Sequence, residues 1–191
     1  MTSCIDQELI LRQLDDKMKR TSSSRARAML ARVREHAAAE TTGNLEALMD
    51  TLNANPAYHF WGPTGDWGPK GREGVEDFYS NFVASHQYFL EVDCDRIVAD
   101  EDCVVLEAVL KSVVPGRVMA DNPMAEAAGV AIEPDRHYLL TVRNVTFWPF
   151  DDDVKLVGED SYSGGPYELR VLEDDELPDG YKSLFADAPS N

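Results

Sequence analysis

The chain has 191 residues, of which 43% are hydrophobic and 28% are charged. This length and composition are typical of one folded domain with elaborated ends, and they exclude a chain that is disordered throughout. The formal net charge of −17 argues against a nucleic-acid partner and against docking on an anionic membrane, because both need a basic surface. Its plain consequence is solubility.

The charge is unevenly distributed along the chain. Residues 1–36 carry eight Lys or Arg and five Asp or Glu, a local charge of +3, so the other 155 residues carry −20. We therefore predict an N-terminal helical arm, residues 1–24, that lies across the acidic body of its own chain or of a second subunit.

Cysteine usage and the N-terminal sequence both point to the cytoplasm. Three cysteines without a C-x-x-C pair predict free thiols, which suit a reducing compartment. Met1–Leu14 is interrupted by Asp6, Glu8 and Arg12, so it does not have the apolar core of a signal peptide. No apolar run approaches the roughly 20 residues that span a bilayer. The sequence accordingly predicts a cytoplasmic protein with no membrane partner.

The first 85 residues have apolar positions at helical spacing. The predicted helices are Cys4–Arg20, Arg25–Glu40, Leu45–Leu52 and Gly74–Ala84. Between the last two, Ala57–Trp61 has the composition of a strand. Gly62–Gly71 follows it and holds four Gly and two Pro, which predicts a turn-rich loop.

After Ser85 the apolar pattern changes to a period of two, which is typical of strands. Four long strands are predicted, at Tyr88–Ala99, Cys103–Val114, His137–Trp148 and Val154–Ser163. The acidic turns at 100–102 and 151–153 are short enough for hairpins. The connection Pro115–Arg136 is long enough to predict a function or a subunit contact. Residues 171–191 are predicted to form an acidic C-terminal tail.

Helices followed by long antiparallel strands predict an α+β fold with the helices on one face of the sheet. We predict that residues 25–170 form one domain, in which a strongly curved antiparallel sheet wraps the helices as a cone-shaped barrel with one apolar cavity. The second long strand is apolar on both faces, with Val104 and Leu106 on one and Val105 and Val109 on the other. Because a second buried face needs a cover, we predict a homodimer through the outer face of the sheet.

Four segments together resemble a known superfamily. They are Val33–Leu52, the strand with its Gly62–Pro63 exit, Gly71–Tyr79 and Phe147–Tyr162. Their order resembles the SnoaL-like and ketosteroid-isomerase-like branch of the nuclear transport factor 2-like superfamily over residues 26–170. The resemblance implies the cone-shaped fold and a pocket for a small hydrophobic ligand, while function has to come from the site itself.

The resemblance implies catalytic positions that are mostly replaced here. In ketosteroid isomerases a Tyr on the first helix, an Asp at the end of the first strand and a protonated Asp before the last hairpin carry the reaction. His36, Gly62 and Thr146 stand at the matching positions, and Tyr79 matches a Tyr that supports the oxyanion donor. The Thr-His pair and the closing Asp of SnoaL-like cyclases are replaced by Ser112–Val114 and Gly164. Neither known set of catalytic groups is therefore complete.

Strand alternation predicts which polar side chains face the cavity. Glu159 and Ser161 are placed inward on the last strand by the family register. The predicted ligand-contacting residues on the other strands and the fourth helix are Tyr58, Phe60, Phe78, Tyr79, Asn144, Thr146 and Trp148. By the same alternation His59, Trp61, Asp160 and Tyr162 face outward.

Glu159 is the candidate catalytic base, because a carboxylate in an apolar cavity suits proton transfer near neutral pH. His36 is the candidate acid or oxyanion donor, with Tyr79 orienting it. The alternative is structural: Glu159 would pair with Arg143 or His36, and His36 would be a satisfied core histidine. Glu40, one turn after His36, is a further candidate to pair with it.

Other titratable residues do not suggest a metal or a cofactor. His59, His86 and His137 have no metal-ligand spacing, and no Cys/His cluster or nucleotide-binding glycine motif is present. We therefore predict no metal and no cofactor. Glu107 falls on the face opposite the cavity, where we expect an interface or edge charge.

Two classes of function follow from this pattern. The first is a cofactor-independent lyase, isomerase or cyclase that acts on a small hydrophobic carbonyl compound by general acid–base chemistry. The alternative is a non-catalytic small-molecule-binding or accessory dimerisation module of the same fold. The missing family acids favour the module, and the inward Glu and His favour the enzyme. The small subunit of a ring-hydroxylating dioxygenase is a third reading and fits least well.

Overall fold

The structure is a computed structural model that describes residues 3–62, 65–120, 125 and 128–184. Its helices are α1 (Leu9–Arg20), α2 (Ser24–Thr42), α3 (Leu45–Asp50), α4 (Gly71–Ala84), α5 (Gly116–Met119) and α6 (Asp179–Ser183). Its strands are β1 (His59–Gly62), β2 (Gly65–Asp66), β3 (Leu90–Ala99), β4 (Cys103–Pro115), β5 (His137–Pro149) and β6 (Asp160–Leu172). Across these described ranges, no helix combines the length and the apolar character needed to cross a membrane.

The six strands form one sheet in the order β2-β1-β6-β5-β4-β3. All neighbours are antiparallel except β1 and β6, which run parallel. The sheet is curved and unclosed, because β2 and β3 remain its two edges. The α+β fold with N-terminal helices and a curved sheet, predicted from the period of the apolar pattern, is confirmed.

The position of the last strand was predicted wrongly. Val154–Ser163 was expected to be the strand, but β6 starts only at Asp160 and continues to Leu172. Val154 has a φ of 58°, which no strand residue adopts, and the buried Leu156 forms single bridges to two other segments. Leu156 fills the core from a loop. Its apolar side chain therefore contributed to an alternating pattern that is typical of a strand, although residues 154–159 do not form one.

The predicted turn-rich loop after β1 is partly ordered as a hairpin. β2 pairs with β1 through Trp61 opposite Asp66. The Asp66 carboxylate accepts hydrogen bonds from the backbone N–H of Phe60 and Gly68, both at 3.0 Å, and from Lys70 Nζ at 2.8 Å. The Lys70 ammonium and these N–H groups hold the pKa of Asp66 well below its ordinary value. Asp66 therefore fixes the hairpin to the start of α4.

Two local signals set the direction of α2, the helix that carries His36 and Glu40. Its start is capped by Ser23, whose Oγ accepts from the Ala26 N–H at 3.2 Å. Its end is set by Gly43, which adopts a left-handed φ of 66°. The chain can then reverse into α3, and one face of α2 stays against the sheet.

The main core lies between the helices and the inner face of the sheet. Alternate residues of β4 point into it, and the core includes Leu14, Leu30, Val33, Leu48, Val104, Leu106 and Trp148. Burial of large side chains of this kind contributes about 1.5–3 kcal/mol each. This core holds α2 and α4 against the strands that carry the cavity residues.

The outer face of the sheet is covered at one end by the chain itself. Val113 and Leu139 project to that side, and Ile5, Leu177 and Tyr181 pack on them in a second cluster. The cover that we assigned to a second subunit is thus supplied here by residues near both termini. The described part of the predicted acidic tail contributes to it, since Tyr181 is fully buried.

The predicted basic arm packs on its own chain. Ile10 and Leu14 of α1 are buried in the main core. Asp15 accepts from Arg34 Nε of α2 at 2.7 Å, and Gln13 Nε2 donates to Asp93 of β3 at 2.9 Å. Of the two placements predicted for the arm, the structure shows the contact with its own body.

Candidate functional site

A cavity of about 390 Å³ lies between the inner face of the sheet and helices α1, α2 and α4. This volume is within the usual range of small-molecule sites. Its apolar lining includes Ile10, Ala37, Phe60, Phe78, Phe82 and Leu106. Its polar lining includes Glu40, Asn144, Thr146, Glu159, Ser161 and Ser163.

The predicted site residues divide into two groups. Six line the cavity: Phe60, Phe78, Asn144, Thr146, Trp148 and Glu159. Three lie behind its wall and are fully or almost fully buried: His36, Tyr58 and Tyr79. None of these three is among the residues that line the cavity. Their polar atoms meet one another and Glu159 instead.

Tyr79 is the junction of this buried group. Its hydroxyl lies 2.9 Å from Glu159 Oε1, 3.1 Å from His36 Nε2 and 3.2 Å from the Tyr58 hydroxyl. Burial raises the pKa of both tyrosines well above the ordinary value, with the charge of Glu159 adding to the effect. Both phenols therefore stay protonated, and the Tyr79 hydroxyl donates to the Glu159 carboxylate.

The tautomer of His36 follows from its other partner. Thr51 Oγ1 donates to the Leu48 carbonyl at 2.6 Å, so its only proton is already used. His36 Nδ1, 2.7 Å from the same Oγ1, must then be the donor. Nε2 faces Tyr79 and lies 3.5 Å from Glu159 Oε1. Nε2, the Tyr79 hydroxyl and the Glu159 carboxylate thus form a row in which each neighbour is within hydrogen-bond distance of the next.

The place of Glu159 depends on a close approach of two backbone segments. His59 N–H donates to the Glu159 carbonyl at 2.6 Å, and Ala57 N–H donates to the Val157 carbonyl at 2.8 Å. Gly158 lies between them, and a Cβ at that position would be 1.8 Å from the Ala57 carbonyl oxygen. Glycine at 158 therefore allows Glu159 to enter the cavity wall just before β6 begins.

Glu40 brings a second carboxyl group into the cavity. It lies one turn after His36 on α2, but within the described residues its side chain has no hydrogen bond or ion pair, so the predicted pair with His36 is absent. Burial raises the pKa of Glu40 to about 8, and the negative charge of Glu159 adds to this shift. The cavity thus holds one anchored carboxylate and one unanchored carboxyl group.

A polar strip crosses the sheet opposite the helices. Asn144 Nδ2 donates to Thr146 Oγ1 at 3.3 Å, and Thr146 Oγ1 lies 3.0 Å from Ser161 Oγ. The alternation predicted for β5 and for the start of β6 is correct at these positions. Beside the strip, Trp148 is 6% exposed, and its Nε1 has no acceptor among the described residues. An unpaired buried donor in a cavity wall is costly unless a bound molecule supplies the acceptor.

The alternative partner considered for Glu159 lies on the other side of the sheet. Arg143 Nη2 contacts Asp95 at 2.5 Å and Glu107 at 2.9 Å on the outer face. Glu107 also pairs with Arg96 at 3.0 Å. Glu107 is therefore an edge charge on the face opposite the cavity, as predicted, and Arg143 does not reach Glu159.

Several residues of the site were not foreseen from the sequence, and Thr51 and Trp61 are two instructive cases. Thr51 fixes the tautomer of His36, and nothing in its local pattern distinguishes it from any helix-end threonine. Trp61 was predicted to face outward, and it stacks there on Tyr162 with ring centroids 6.2 Å apart, but it also lines the edge of the cavity. β1 is too short and too close to the hairpin turn for strict alternation to separate its two faces. Among the described residues, no group of three His, Cys, Asp or Glu side chains could hold a metal ion.

A curved sheet that encloses a cavity against N-terminal helices places this protein in the cone-shaped class of α+β domains. Comparison with known families agrees with this class: the family described as SnoaL-like domain matches residues 33–157. The match covers more than half of the chain, so the chain belongs to the SnoaL-like family. The comparison with curated proteins found no match.

Solved structures of the same fold include proteins with different chemistry. A candidate SnoaL-like polyketide cyclase from Shewanella denitrificans OS-217 is 13% identical, with a TM-score of 0.57 over 71% of this chain and 90% of that chain. SalBIII, an epoxide hydrolase/cyclase-like enzyme of pyran ring formation in salinomycin, is 12% identical, with a TM-score of 0.51 over 83% and 98%. RV0760c from Mycobacterium tuberculosis, solved with estradiol-17beta-hemisuccinate, is 15% identical, with a TM-score of 0.51 over 71% and 92%. At these identities the similarity establishes the fold alone.

Proposed function

We propose that the protein is a cofactor-independent enzyme of the lyase, isomerase or cyclase type that acts on a small hydrophobic carbonyl compound by general acid–base chemistry. The observation that carries this proposal is the Glu159 carboxylate, which lines the cavity and accepts a hydrogen bond from the buried Tyr79 behind it. A base fixed in this way faces the ligand in one orientation, which is what efficient proton abstraction requires.

The roles of the surrounding residues follow from their positions. Glu159 takes a proton from the substrate, and Tyr79 holds its carboxylate in place. His36 cannot touch the substrate because it is fully buried, so its proposed role changes from acid to positioning residue and proton relay. Asn144 and Thr146 offer hydrogen bonds to a carbonyl or hydroxyl oxygen from the opposite wall.

Neighbours of the same fold support both a catalytic and a binding use of such a cavity. SalBIII is described as an epoxide hydrolase/cyclase-like enzyme, and RV0760c was solved with a steroid derivative. A computationally designed 17-OHP binder also has this fold, with a TM-score of 0.53. The second candidate function is therefore a binding module without turnover. The unpaired Trp148 N–H favours ligand binding under either function.

The deciding experiment measures turnover and binding on one panel of hydrophobic ketones, epoxides and β-hydroxy carbonyl compounds. We expect Glu159→Gln to keep the fold and to lower turnover by about 10²–10⁴-fold, since an amide cannot accept the proton. Glu46→Gln, at an exposed position on α3, is the matched control and should leave turnover unchanged. A wild-type protein that binds a panel member tightly but converts none would establish the binding module instead.

We further propose a cytoplasmic homodimer formed through the exposed end of the outer sheet face. Four of the large apolar side chains exposed in the described residues share this face, namely Trp61, Val98, Phe147 and Tyr162. Trp61, Phe147 and Tyr162 are neighbours, and Val105 of β4 lies between Val98 and Phe147. Next to them lies a belt of both signs, in which Arg143 contacts Asp95 and Glu107. In a dimer with a two-fold axis, the basic side chains of this belt on one subunit would face the acidic side chains of the same belt on the other subunit.

Light scattering at micromolar concentration tests the dimer. Phe147→Asp should give a particle of one-chain mass, whereas Phe147→Leu should stay dimeric because it keeps an apolar side chain in the patch. A wild-type protein of one-chain mass at that concentration would rule the dimer out and leave the cavity proposal intact.

A further inference from the structure

Glu40 is a carboxyl group in the cavity wall, and it has no role in the acid–base chemistry proposed above. It faces the cavity from α2, while Glu159 faces the same cavity from the segment before β6. Within the described residues no Lys, Arg or His side chain lines this cavity. Tyr58, Tyr79 and Glu159 interact electrostatically with Glu40, and Tyr167 is a further titratable group that lines the same cavity.

The two carboxyl groups have opposite surroundings. Glu159 accepts a hydrogen bond from the Tyr79 hydroxyl at 2.9 Å, which fixes its side chain in the cavity wall. Glu40 has no donor among the described residues and lies in the last turn of α2, where the aligned carbonyl groups disfavour negative charge. Desolvation and the nearby Glu159 charge raise the pKa of Glu40 to about 8. The cavity therefore presents one carboxyl group that is fixed by a hydrogen bond and one that keeps its proton at neutral pH.

We propose that Glu40 is a second catalytic residue, which donates a hydrogen bond and then a proton to an oxygen atom of the substrate while Glu159 removes a proton from substrate carbon or hydroxyl. This inference rests on the proposed acid–base function and specifies its substrate class as neutral compounds with an acceptor oxygen next to an acidic hydrogen. One proton leaves the substrate and one arrives, so the substrate keeps its charge. Glu159 then loses its proton to water, and Glu40 regains one.

Pairs of carboxyl groups whose environments separate their protonation states are a recurring arrangement for acid and base catalysis. The cavity meets the geometric part of that rule, because the two groups lie on different elements and line one cavity of about 390 Å³. A lipophilic amine would use the same two carboxyl groups differently, as counter-ions for an ammonium group. The two substrate classes predict opposite pH dependence.

A matched set of three probes separates them: tetralin, 2-tetralone and 2-aminotetralin. Binding is followed by tryptophan fluorescence from pH 6 to pH 10, since Trp61, Trp67 and Trp148 line the cavity. We expect 2-tetralone to bind more tightly than tetralin below pH 8. Its affinity should fall by up to about tenfold per pH unit above pH 8, as Glu40 loses the donated proton.

Glu40→Gln supplies the specific control, because an amide still donates a hydrogen bond but does not titrate. In this variant the affinity for 2-tetralone should stay constant through pH 8, while Glu46→Gln should keep the wild-type profile. A flat profile in the wild type, a fall that persists in Glu40→Gln, or preference for 2-aminotetralin would overturn the role of Glu40. In each of those cases ligand binding by the cavity would still stand. If none of the three probes binds, the substrate class assigned through Glu40 is wrong, while the panel of ketones, epoxides and β-hydroxy carbonyl compounds tests the proposed function separately.

Proton transfer itself is measured by exchange of the α-hydrogens of 2-tetralone with deuterium. We expect Glu40→Gln to slow exchange by about 10²-fold and to remove the decline of the rate above pH 8, whereas Glu159→Gln should stop exchange at every pH. An unchanged exchange rate in Glu40→Gln would show that Glu40 takes no part in the proton transfer. Absence of exchange in the wild type, with normal binding, would count against the enzyme and against the catalytic role of Glu40 together.

Discussion

The polar groups behind the cavity wall and those on its surface are arranged in contrasting ways. Behind the wall, His36, Thr51, Tyr58 and Tyr79 are buried and every side chain has a partner within the group. On the surface, Glu40 and the Trp148 Nε1 have no hydrogen-bond partner among the described residues. The two regions are separated by a single side chain, Glu159, which belongs to both.

This difference separates the polar groups that stabilise the fold from those that are available to bind a ligand. A satisfied buried network stabilises one arrangement of α2 against α4 and β6, whereas unsatisfied groups lower stability until a molecule binds them. Such a cost is commonly concentrated at functional sites. We therefore expect substitutions in the two regions to change stability in opposite directions.

The largest expected effect on stability comes from the hydrogen-bonded group behind the cavity wall. His36→Leu should lower the free energy of unfolding by about 3–4 kcal/mol, because it removes two buried hydrogen bonds, to Thr51 and to Tyr79, and changes the shape of a fully buried side chain. Urea denaturation at pH 7 measures it, with the exposed Glu35→Gln on the same helix as control. A loss below about 1 kcal/mol would show that the network is not a stabilising one.

On the unsatisfied side, Glu40→Gln should raise stability. Since burial raises the pKa of Glu40 to about 8, from an ordinary value of 4.5, the folded protein keeps a proton that the unfolded chain releases in that interval. The free energy of unfolding therefore falls from pH 4.5 to pH 8. At about 1.4 kcal/mol per pKa unit, the variant should be more stable by roughly 2–4 kcal/mol at pH 8 and nearly unchanged at pH 4. Equal stabilisation at both pH values would contradict the protonation argument.

The boundary between the two regions is tested by Tyr79→Phe. The ring stays in the core, but Glu159, His36 and Tyr58 lose the shared hydroxyl. We expect a stability loss of about 1–2 kcal/mol, smaller than for His36→Leu because Glu159 is in contact with the cavity and can gain water. Chemical denaturation of Tyr79→Phe alone and combined with Glu159→Gln measures the coupling. Strictly additive losses would mean that the hydrogen bond contributes nothing.

The outer face gives the smallest effect. Arg143→Met removes contacts with Asp95 and Glu107, but the Arg143 side chain is 48% exposed. Exposed ion pairs contribute about 0–1 kcal/mol, so the monomer should lose less than about 1 kcal/mol, and less still at high salt. A larger, salt-sensitive loss that depends on protein concentration would support the proposed dimer.

The sequence was informative where side-chain period reflects a simple environment. The alternation of β4 and β5 placed Thr146 and Trp148 in the cavity correctly, because each face of these strands meets one kind of surroundings over many residues. It was uninformative where one residue is buried from a loop, as Leu156 is, or where a strand is only four residues long, as β1 is. Period cannot separate such cases from regular strands.

The content of the site was predictable in part. Glu159 and the contact of His36 with Tyr79 follow from register and from the family resemblance. The separation of the site into a lining and a buried layer does not, because alternation gives the direction of a side chain and not its depth. The unpaired state of the Glu40 carboxyl group could not be predicted from the sequence either. Helical spacing places Glu40 beside His36, and only the fold shows that the two side chains have different neighbours.

Gly158 has a consequence for anyone who surveys natural or random variants of this chain. A Cβ at this position would overlap the Ala57 carbonyl oxygen, and the residue that would be displaced is Glu159. Replacement of Gly158 would thus abolish the function of the cavity without changing the identity of any residue that a ligand touches. In a map of variant effects it would stand among the most intolerant positions, and an observer who inspected only the pocket would have no reason to look there.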